Sequence, residues 1–406
     1  MARSDKKKKA SMKTLDLGEL EKAGFVMLKD STWADIADRL PTLLPSLDAT
    51  IGGGLPFGRF IEVYAKNGIG KSNLMLGVTK SCTQLGIPVI WFDVEGTADK
   101  EHLAEMGIDT SKVIVRQPDK DDPGALSIEA IGESMETLIA FFKARDLPAV
   151  IIWDSIGQSI AGKTIEADFD NQQPGVKAKA LTNLFAKIMP QLSLTKSMLI
   201  GVNQARELIG VYGQPAGAIE SGGGNALHHA ASLRLELKKG GGRLSRTIKG
   251  EKVYQGHPVK ATVQKSKVSR LMGVSVNMLY GAQGFNEFMN IVYKGEELGF
   301  IKKSGQNYKY ASVSTGEVIE LNMWNFLEWS RTEEAFPVMR EIFQQIILYY
   351  FPVKYPPLEN ETLDISDMPL MAGLREIYAS IAKAKEEADK EEEKPKKKTP
   401  KAKKED

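Results

Sequence analysis

The sequence predicts an α/β fold: a mostly parallel central sheet flanked by helices, antiparallel edge strands, and a small C-terminal helical or mixed domain. Three observations carry that expectation. Short apolar runs alternate with longer helix-like stretches; a glycine-containing turn joins the first of those runs to the helix after it; and beyond Ser232 strand-like runs follow one another with only short connections. Continuous apolar runs separated by helices indicate strands buried on both faces and joined by right-handed crossovers.

In chain order, residues 1–13 carry Lys6 to Lys9 in a row and read as a disordered basic arm. Residues 14–45 form an N-terminal segment. The core domain is expected over 46–323. Its first strand is Arg59 to Tyr64, followed by a helix from Lys71 to Leu85, then Val89 to Phe92, a helix from about Ile128 to Ala144, and Ala149 to Trp153. An amphipathic stretch from about Lys177 to Leu194 precedes Met198 to Val202. Ser232 to Lys239, Val259 to Lys265 and Val274 to Tyr280 are the edge strands. Residues 324–381, helical over Phe336 to Tyr349 and broken at Pro352 to Pro357, are read as the small C-terminal domain. The Lys/Glu-rich residues 382–406 cannot bury enough apolar surface to offset their ordering entropy. They read as a solubilising tail, with a non-specific nucleic-acid arm as the alternative.

Composition narrows the class without choosing a function. Hydrophobic residues at 42% support a buried core, and the net charge of +2 favours no partner because a balanced total can hide local basic patches. The single cysteine, Cys82, cannot form an internal disulfide and offers no metal cluster. No apolar run reaches the length of a membrane span, and no apolar stretch follows the lysine-rich start as in a secretory signal. A cytoplasmic protein without a membrane partner is expected.

The chemistry begins at Ala65-Lys66-Asn67-Gly68-Ile69-Gly70-Lys71-Ser72, which fits the phosphate-binding P-loop pattern with alanine at its first position. It follows a strand and opens a helix, the context the motif requires. Gly68 and Gly70 let the backbone curl so that successive N–H groups face phosphate, and the helix N-terminus adds its dipole. Lys71 would reach the β- and γ-phosphates of ATP, and the Ser72 hydroxyl would ligate Mg²⁺. Ligands of open α/β sheets sit outside the carboxyl ends of the strands. Three apolar runs end there in polar residues: Asp93 and Glu95, then Asp154, then Asn203 and Gln204. Asp154 has the form of an aspartate that holds Mg²⁺ directly or through water. Glu95 is placed to orient and deprotonate an attacking water, and Gln204 to sense the γ-phosphate. Nucleotide hydrolysis is the expected chemistry.

From about Ser46 to Tyr310 the chain resembles RecA and the related phage recombinases. The resemblance is carried by Ser46 to Ala49 through Gly52-Gly53-Gly54-Leu55-Pro56-Phe57-Gly58-Arg59, then Phe92-Asp93-Val94-Glu95, then Val202-Asn203-Gln204-Ala205-Arg206. Gly223-Gly224-Asn225-Ala226-Leu227 and Ser232-Leu233-Arg234-Leu235 complete it. It implies a RecA-like ATPase core in the cytoplasm of a bacterial cell or phage-infected host. The implied activity is an ATP-dependent filament on single-stranded DNA that pairs the strand with homologous duplex DNA and hydrolyses ATP at subunit interfaces. Single-strand-binding or mediator proteins are further partners the resemblance allows, and residues 14–45 fall where the family docks on the neighbouring subunit. Asp99 and His102 fall where the family contacts adenine. Lys265 and Lys267 fall on its paired lysines, which reach the neighbouring subunit's ATP. Two positions apart on a strand, their side chains project to one side; without the resemblance they read as a solvated strand face.

For DNA, the glycine-containing stretch Glu207 to Ser221 follows Gln204, so a γ-phosphate contact there can order the loop beyond it. Arg206 is the expected phosphate contact, Ile209 sits where the family wedges an apolar side chain between base triplets, Gly210 beside it is a DNA-binding glycine of the loop, and Tyr212 can stack. Gly223, Gly224 and Asn225 close this loop. A first loop, about Lys163 to Lys179, offers Gly175, Lys177 and Lys179. His228 and His229 have no Cys or carboxylate at ligand spacing and are read as packing or interface residues. Three departures from the family stand out: a long stretch from Asp119 to Pro148, Gln172-Gln173-Pro174 in the first loop, and a tail of mixed charge. A ring helicase built on the same fold, or a regulatory paralogue that scarcely hydrolyses, are the alternatives.

Overall fold

The computed structural model describes residues 22–28, 31, 39–84, 86–145, 147–165, 175–207, 219–269, 272–281, 284–313, 315–330, 332 and 334–350. The chain divides into two compact units, Met1–Asp35 and Ile36–Asp406. The expected basic arm, the tail and most of the expected C-terminal domain lie outside the described residues.

The second unit opens with β1 (Arg39–Leu40), α1 (Pro45–Ile51), β2 (Leu55–Pro56), β3 (Phe60–Ala65) and α2 (Lys71–Gln84). There follow β4 (Val89–Asp93), α3 (Lys100–Glu105), β5 (Val113–Arg116), α4 (Ile128–Lys143), β6 (Val150–Asp154), α5 (Gly162–Ile165) and α6 (Val176–Thr195). Next are β7 (Met198–Glu207), β8 (Ile219–Ser221), α7 (Asn225–Ala230), β9 (Leu233–Lys239), β10 (Leu244–Ile248), β11 (Glu251–Ser266), β12 (Val274–Tyr280) and β13 (Gly284–Phe285). The last are α8 (Glu287–Glu297), β14 (Lys302–Ser304), β15 (Asn307–Ala311), β16 (Val318–Asn322), α9 (Met323–Trp329) and α10 (Phe336–Tyr350).

One large sheet runs in the order β13-β12-β11-β9-β3-β7-β6-β4-β5, with β10 paired to β11 and β8 to β7. From β9 to β5 the pairings are parallel, and beyond β9 they are antiparallel. The mostly parallel sheet with antiparallel edge strands is therefore present. Its central strands β3, β4 and β6 are buried along their whole length because both faces are covered there. Ile61, Val63, Trp91 and Ile152 pack into one core with α2, while Phe60, Ile90, Phe92, Ile151 and Trp153 pack into the other with α4 and α6. Successive residues thus separate onto opposite cores, as the two-residue period of a strand requires. Helix α4 buries Ile128, Ile131, Met135, Ile139 and Phe142, a helical stripe, and starts where the Ser127 hydroxyl accepts from the Ala130 N–H at 3.2 Å.

A third core joins Tyr280, Met289 and Val292 to Tyr308, Tyr310, Phe326, Met339 and Ile346. It draws on both sides of residue 324, the boundary expected from the sequence. Strand β11 begins at Glu251, well before Val259, because its first half pairs with β10.

Candidate functional site

The carboxyl ends of β3, β4, β6 and β7 bring the expected nucleotide residues together. Between β3 and α2 the loop of Lys66, Asn67 and Gly68 is exposed, and Ile69 and Gly70 are half-buried. Gly70 holds φ at +111°, a conformation side-chain-bearing residues rarely adopt, while its carbonyl accepts the first helical bond from the Leu74 N–H at 3.0 Å. That turn directs the start of α2 back over the strand ends. The Lys71 ammonium rests on the carbonyls of Ala65 and Lys66, 3.3 Å from each. Burial pulls its pKa down, against the opposing pull of Glu95 and Asp154.

Ser72 Oγ donates to Asp154 Oδ2 at 3.0 Å. Asp154 is buried, and burial pushes its pKa up to about 6; the Ser72 bond opposes this, and Glu95 and Asp93 push further upward. A hydroxyl beside a carboxylate, in a corner that crowds three acidic side chains, suits Mg²⁺, which takes few protein ligands and fills its shell with phosphate oxygens and water.

Asp93 closes the turn after β4 by accepting from the N–H groups of Thr97 (2.9 Å) and Ala98 (3.0 Å). The Val94 N–H donates to the Asp154 carbonyl at 2.8 Å, so this turn is tied to β6. Glu95 therefore stands over the strand ends, where its Oε1 accepts from Ser155 Oγ and, at 3.3 Å, from Gln204 Nε2. The bond between Asp154 and Ser155 is a cis peptide. The sequence reading missed Ser155; its position next to Asp154 was the available signal.

Asp99 caps α3, its Oδ1 accepting from the N–H groups of Glu101 (2.8 Å) and His102 (2.9 Å), and these bonds hold its pKa below the usual range. His102 stands in the same first turn, half-buried. Away from the nucleotide loop, Lys265 and Lys267 converge on the end of α7: the first donates to the His228 carbonyl, the second to the His229 carbonyl at 2.9 Å. Lys267 lies just past the end of β11, yet the two ammonium groups still share one side. Burial, then the neighbouring Lys267 and Arg234 charges, lower the Lys265 pKa.

Of the DNA candidates, Gly175 sits at the N-cap of α6 with φ +85°. Lys177 donates to the Gly157 carbonyl at 2.7 Å, and burial followed by the Arg206 charge lowers its pKa. Lys179 and Arg206 are exposed. Gly223 and Gly224 both carry positive φ ahead of Asn225, the first residue of α7. Ile209, Gly210 and Tyr212 lie outside the described residues.

A buried polar cluster that the sequence reading did not anticipate lies beside Gln204. Glu62 in β3 accepts from Asn203 Nδ2 at 3.0 Å and from Arg234 Nε at 2.5 Å. The only cue was a glutamate in the middle of an otherwise apolar strand. Among the described residues no group of three or more His, Cys, Asp or Glu forms a metal-binding cluster, and no helix is long and apolar enough to cross a membrane.

The model of the RecA N-terminal domain matches residues 9–286. "Protein RecA" of Arthrobacter sp. (strain FB24) is 30% identical over 302 residues, covering 74% of this chain and 80% of that protein. "Protein RecA" of Streptomyces rimosus is 28% identical over 331 residues, 81% of this chain and 82% of its own length. The Haemophilus ducreyi protein of the same name is 26% identical over 359 residues, 86% of this chain and 89% of its own.

Proposed function

The chain belongs to the RecA family, and on that premise we propose that it forms a filament on single-stranded DNA, hydrolyses ATP in response to that DNA, and pairs the strand with a homologous duplex. The observation that carries the reading is the Gln204–Glu95 contact of 3.3 Å beside the Ser72–Asp154 pair. That contact supports the reading because it joins Gln204, which precedes the segment proposed to meet DNA, to Glu95, the residue proposed to activate water.

In this reading the N–H groups of Ala65 to Gly70 and the Lys71 ammonium hold the phosphates of ATP, and Ser72 and Asp154 hold Mg²⁺, Asp154 directly or through water. Bound Mg²⁺ supplies charge neutralisation at the phosphate oxygens. Glu95 accepts the proton of the attacking water at its carboxylate, while Ser155 and Gln204 fix where that carboxylate points. Asp99 and His102 flank the base. Lys265 and Lys267 serve the neighbouring subunit's nucleotide, adding positive charge in the transition state as arginine fingers do, which makes hydrolysis depend on assembly. Arg206, Lys179, Lys177 and the backbone at Gly175, Gly223, Gly224 and Asn225 grip DNA phosphates, with Ile209, Gly210 and Tyr212 against the bases. Single-strand-binding or mediator proteins would act at loading.

The test is strand exchange between a circular single strand and a homologous linear duplex, with ATP and Mg²⁺. Joint molecules should form with the wild-type chain and not with Lys71→Ala. Their absence with wild type, or their formation by a Lys71→Ala chain at full yield, would overturn the proposal.

A further inference from the structure

We propose that Glu62 is a positioning residue that couples the nucleotide site to the DNA-facing β7–β8 ribbon; the proposal rests on the reading that ATP and single-stranded DNA bind cooperatively. Glu62 is fully buried at the third position of β3, in the centre of the sheet. Burying a carboxylate is costly unless it is paired and its lone pairs are used, and an aliphatic residue would fill a central strand at lower cost. The flanking strand positions, Ile61 and Val63, are filled that way.

What Glu62 does with its charge distinguishes it from a simple ion pair. One of its oxygens meets β7 directly, and the other reaches β8 through Arg234 of β9. Oε1 accepts from Asn203 Nδ2, whose residue precedes Gln204 on β7; the same Nδ2 donates to the Gly222 carbonyl at 2.6 Å, and Asn203 Oδ1 accepts from the Gln204 N–H at 2.9 Å. Oε2 accepts from Arg234 Nε, and the other end of that guanidinium donates to Ser221 Oγ at 2.9 Å. The guanidinium also lies over the Tyr64 ring, 5.0 Å from its centroid, which fixes its plane. Ser221 pairs with Ala205, and Glu220 with Arg206, across β7 and β8.

One carboxylate thus holds both the outgoing and the returning strand of the ribbon that presents Arg206. Gln204, one residue from Asn203, bonds Glu95. A displacement of Gln204 by phosphate is passed through the Asn203 amide to Glu62, and from there through Arg234 to Ser221, so both sides of the ribbon respond together. This is a contiguous chain of hydrogen bonds, the physical form in which coupling can travel.

The test measures the coupling itself. Anisotropy titrations of a labelled single-stranded oligonucleotide with the full chain, with and without the Mg²⁺ complex of a slowly hydrolysed ATP analogue, give two dissociation constants. Their ratio is expected to be about tenfold or more for wild type. Glu62→Gln keeps the shape but turns an NH₂ toward one of its two donors, so it cannot hold Asn203 and Arg234 together. The ratio should fall to about two or less, with nucleotide affinity in the absence of DNA within about twofold of wild type. Ser221→Ala, which removes only the guanidinium's hold on β8, should give an intermediate ratio and keeps the test open if Glu62→Gln fails to fold. Partial unfolding would raise the ratio, because nucleotide draws part of the chain back to the folded state, so a fall reports lost coupling. A wild-type ratio in the folded variants overturns the proposal. A ratio of one in the wild-type chain overturns the cooperative reading beneath it and the proposal with it, and is told apart because no substitution is involved.

Discussion

Gly70→Ala and Gly68→Ala separate the two demands that a phosphate loop makes on its glycines. At Gly70 the backbone holds φ +111°, and an added Cβ would lie 2.8 Å from Leu279 Cδ2 and 3.4 Å from the Phe285 ring. The leucine terminus can shift, so backbone strain dominates, at about 2 kcal/mol for a side-chain-bearing residue held in such a region. At Gly68 the φ of +71° is the milder left-handed region, and a Cβ meets nothing within 4 Å. There the cost is about 1 kcal/mol. A variant without nucleotide relieves its strain by relaxing the loop, so the cost appears when nucleotide restores the conformation. With about 1.4 kcal/mol per tenfold, Gly70→Ala should weaken nucleotide binding about thirtyfold and Gly68→Ala about fivefold. Titration of a fluorescent ATP analogue in the presence of Mg²⁺ reads both. Wild-type affinity in Gly70→Ala, or a larger loss in Gly68→Ala, would refute the strain argument.

Glu95→Gln should retain nucleotide-dependent DNA binding while steady-state hydrolysis falls about 10²-fold or more, as expected on losing a general base; brisk turnover would remove Glu95 from that role. If the lysine serves the neighbour's nucleotide as proposed, Lys265→Ala should reduce DNA-stimulated hydrolysis about tenfold or more with ATP affinity preserved; an unchanged rate would contradict activation across the interface. Asp48 is fully buried and accepts from the Thr42 N–H at 2.9 Å and the Thr42 hydroxyl at 2.8 Å, yet burial outweighs those bonds and raises its pKa from 3.8 to about 7. The folded chain then binds more protons here than the unfolded one between those values, so this group's contribution to stability is lost as pH rises from about 4 to about 7. Asp48→Asn should flatten that part of the denaturant-midpoint-versus-pH profile; an unaltered slope would exclude Asp48 as its source.

The nucleotide site was legible because its residues are written at the ends of apolar runs. Ala65 to Ser72 is one contiguous segment, and Asp93, Asp154 and Gln204 each close or follow a buried strand, so predicting parallel strands already brought them to one edge. Long-range polar contacts left no such trace. Glu62 and Arg234 are 172 positions apart, and each reads locally as a polar interruption of a strand. Only the sheet order, with β9 beside β3, makes them partners. Thr247 and Ile248 of β10 and Glu251 to Tyr254 of β11 are exposed, so no apolar alternation announces this ribbon. The sheet of β14, β15 and β16 is short: Tyr308 and Tyr310 of β15 are buried and Ile319 and Leu321 of β16 pack half-buried on the same core, two alternations too brief to separate from loop. At Lys177 the charge suggested a DNA contact, and the structure adds a partner no local pattern could show, the Gly157 carbonyl.

The most direct test of the central claim is the ATPase rate of the purified chain with and without single-stranded DNA, with negative-stain microscopy of the same samples. The account predicts strong stimulation by DNA accompanied by helical filaments. Turnover indifferent to DNA, or closed rings in place of filaments, would contradict it.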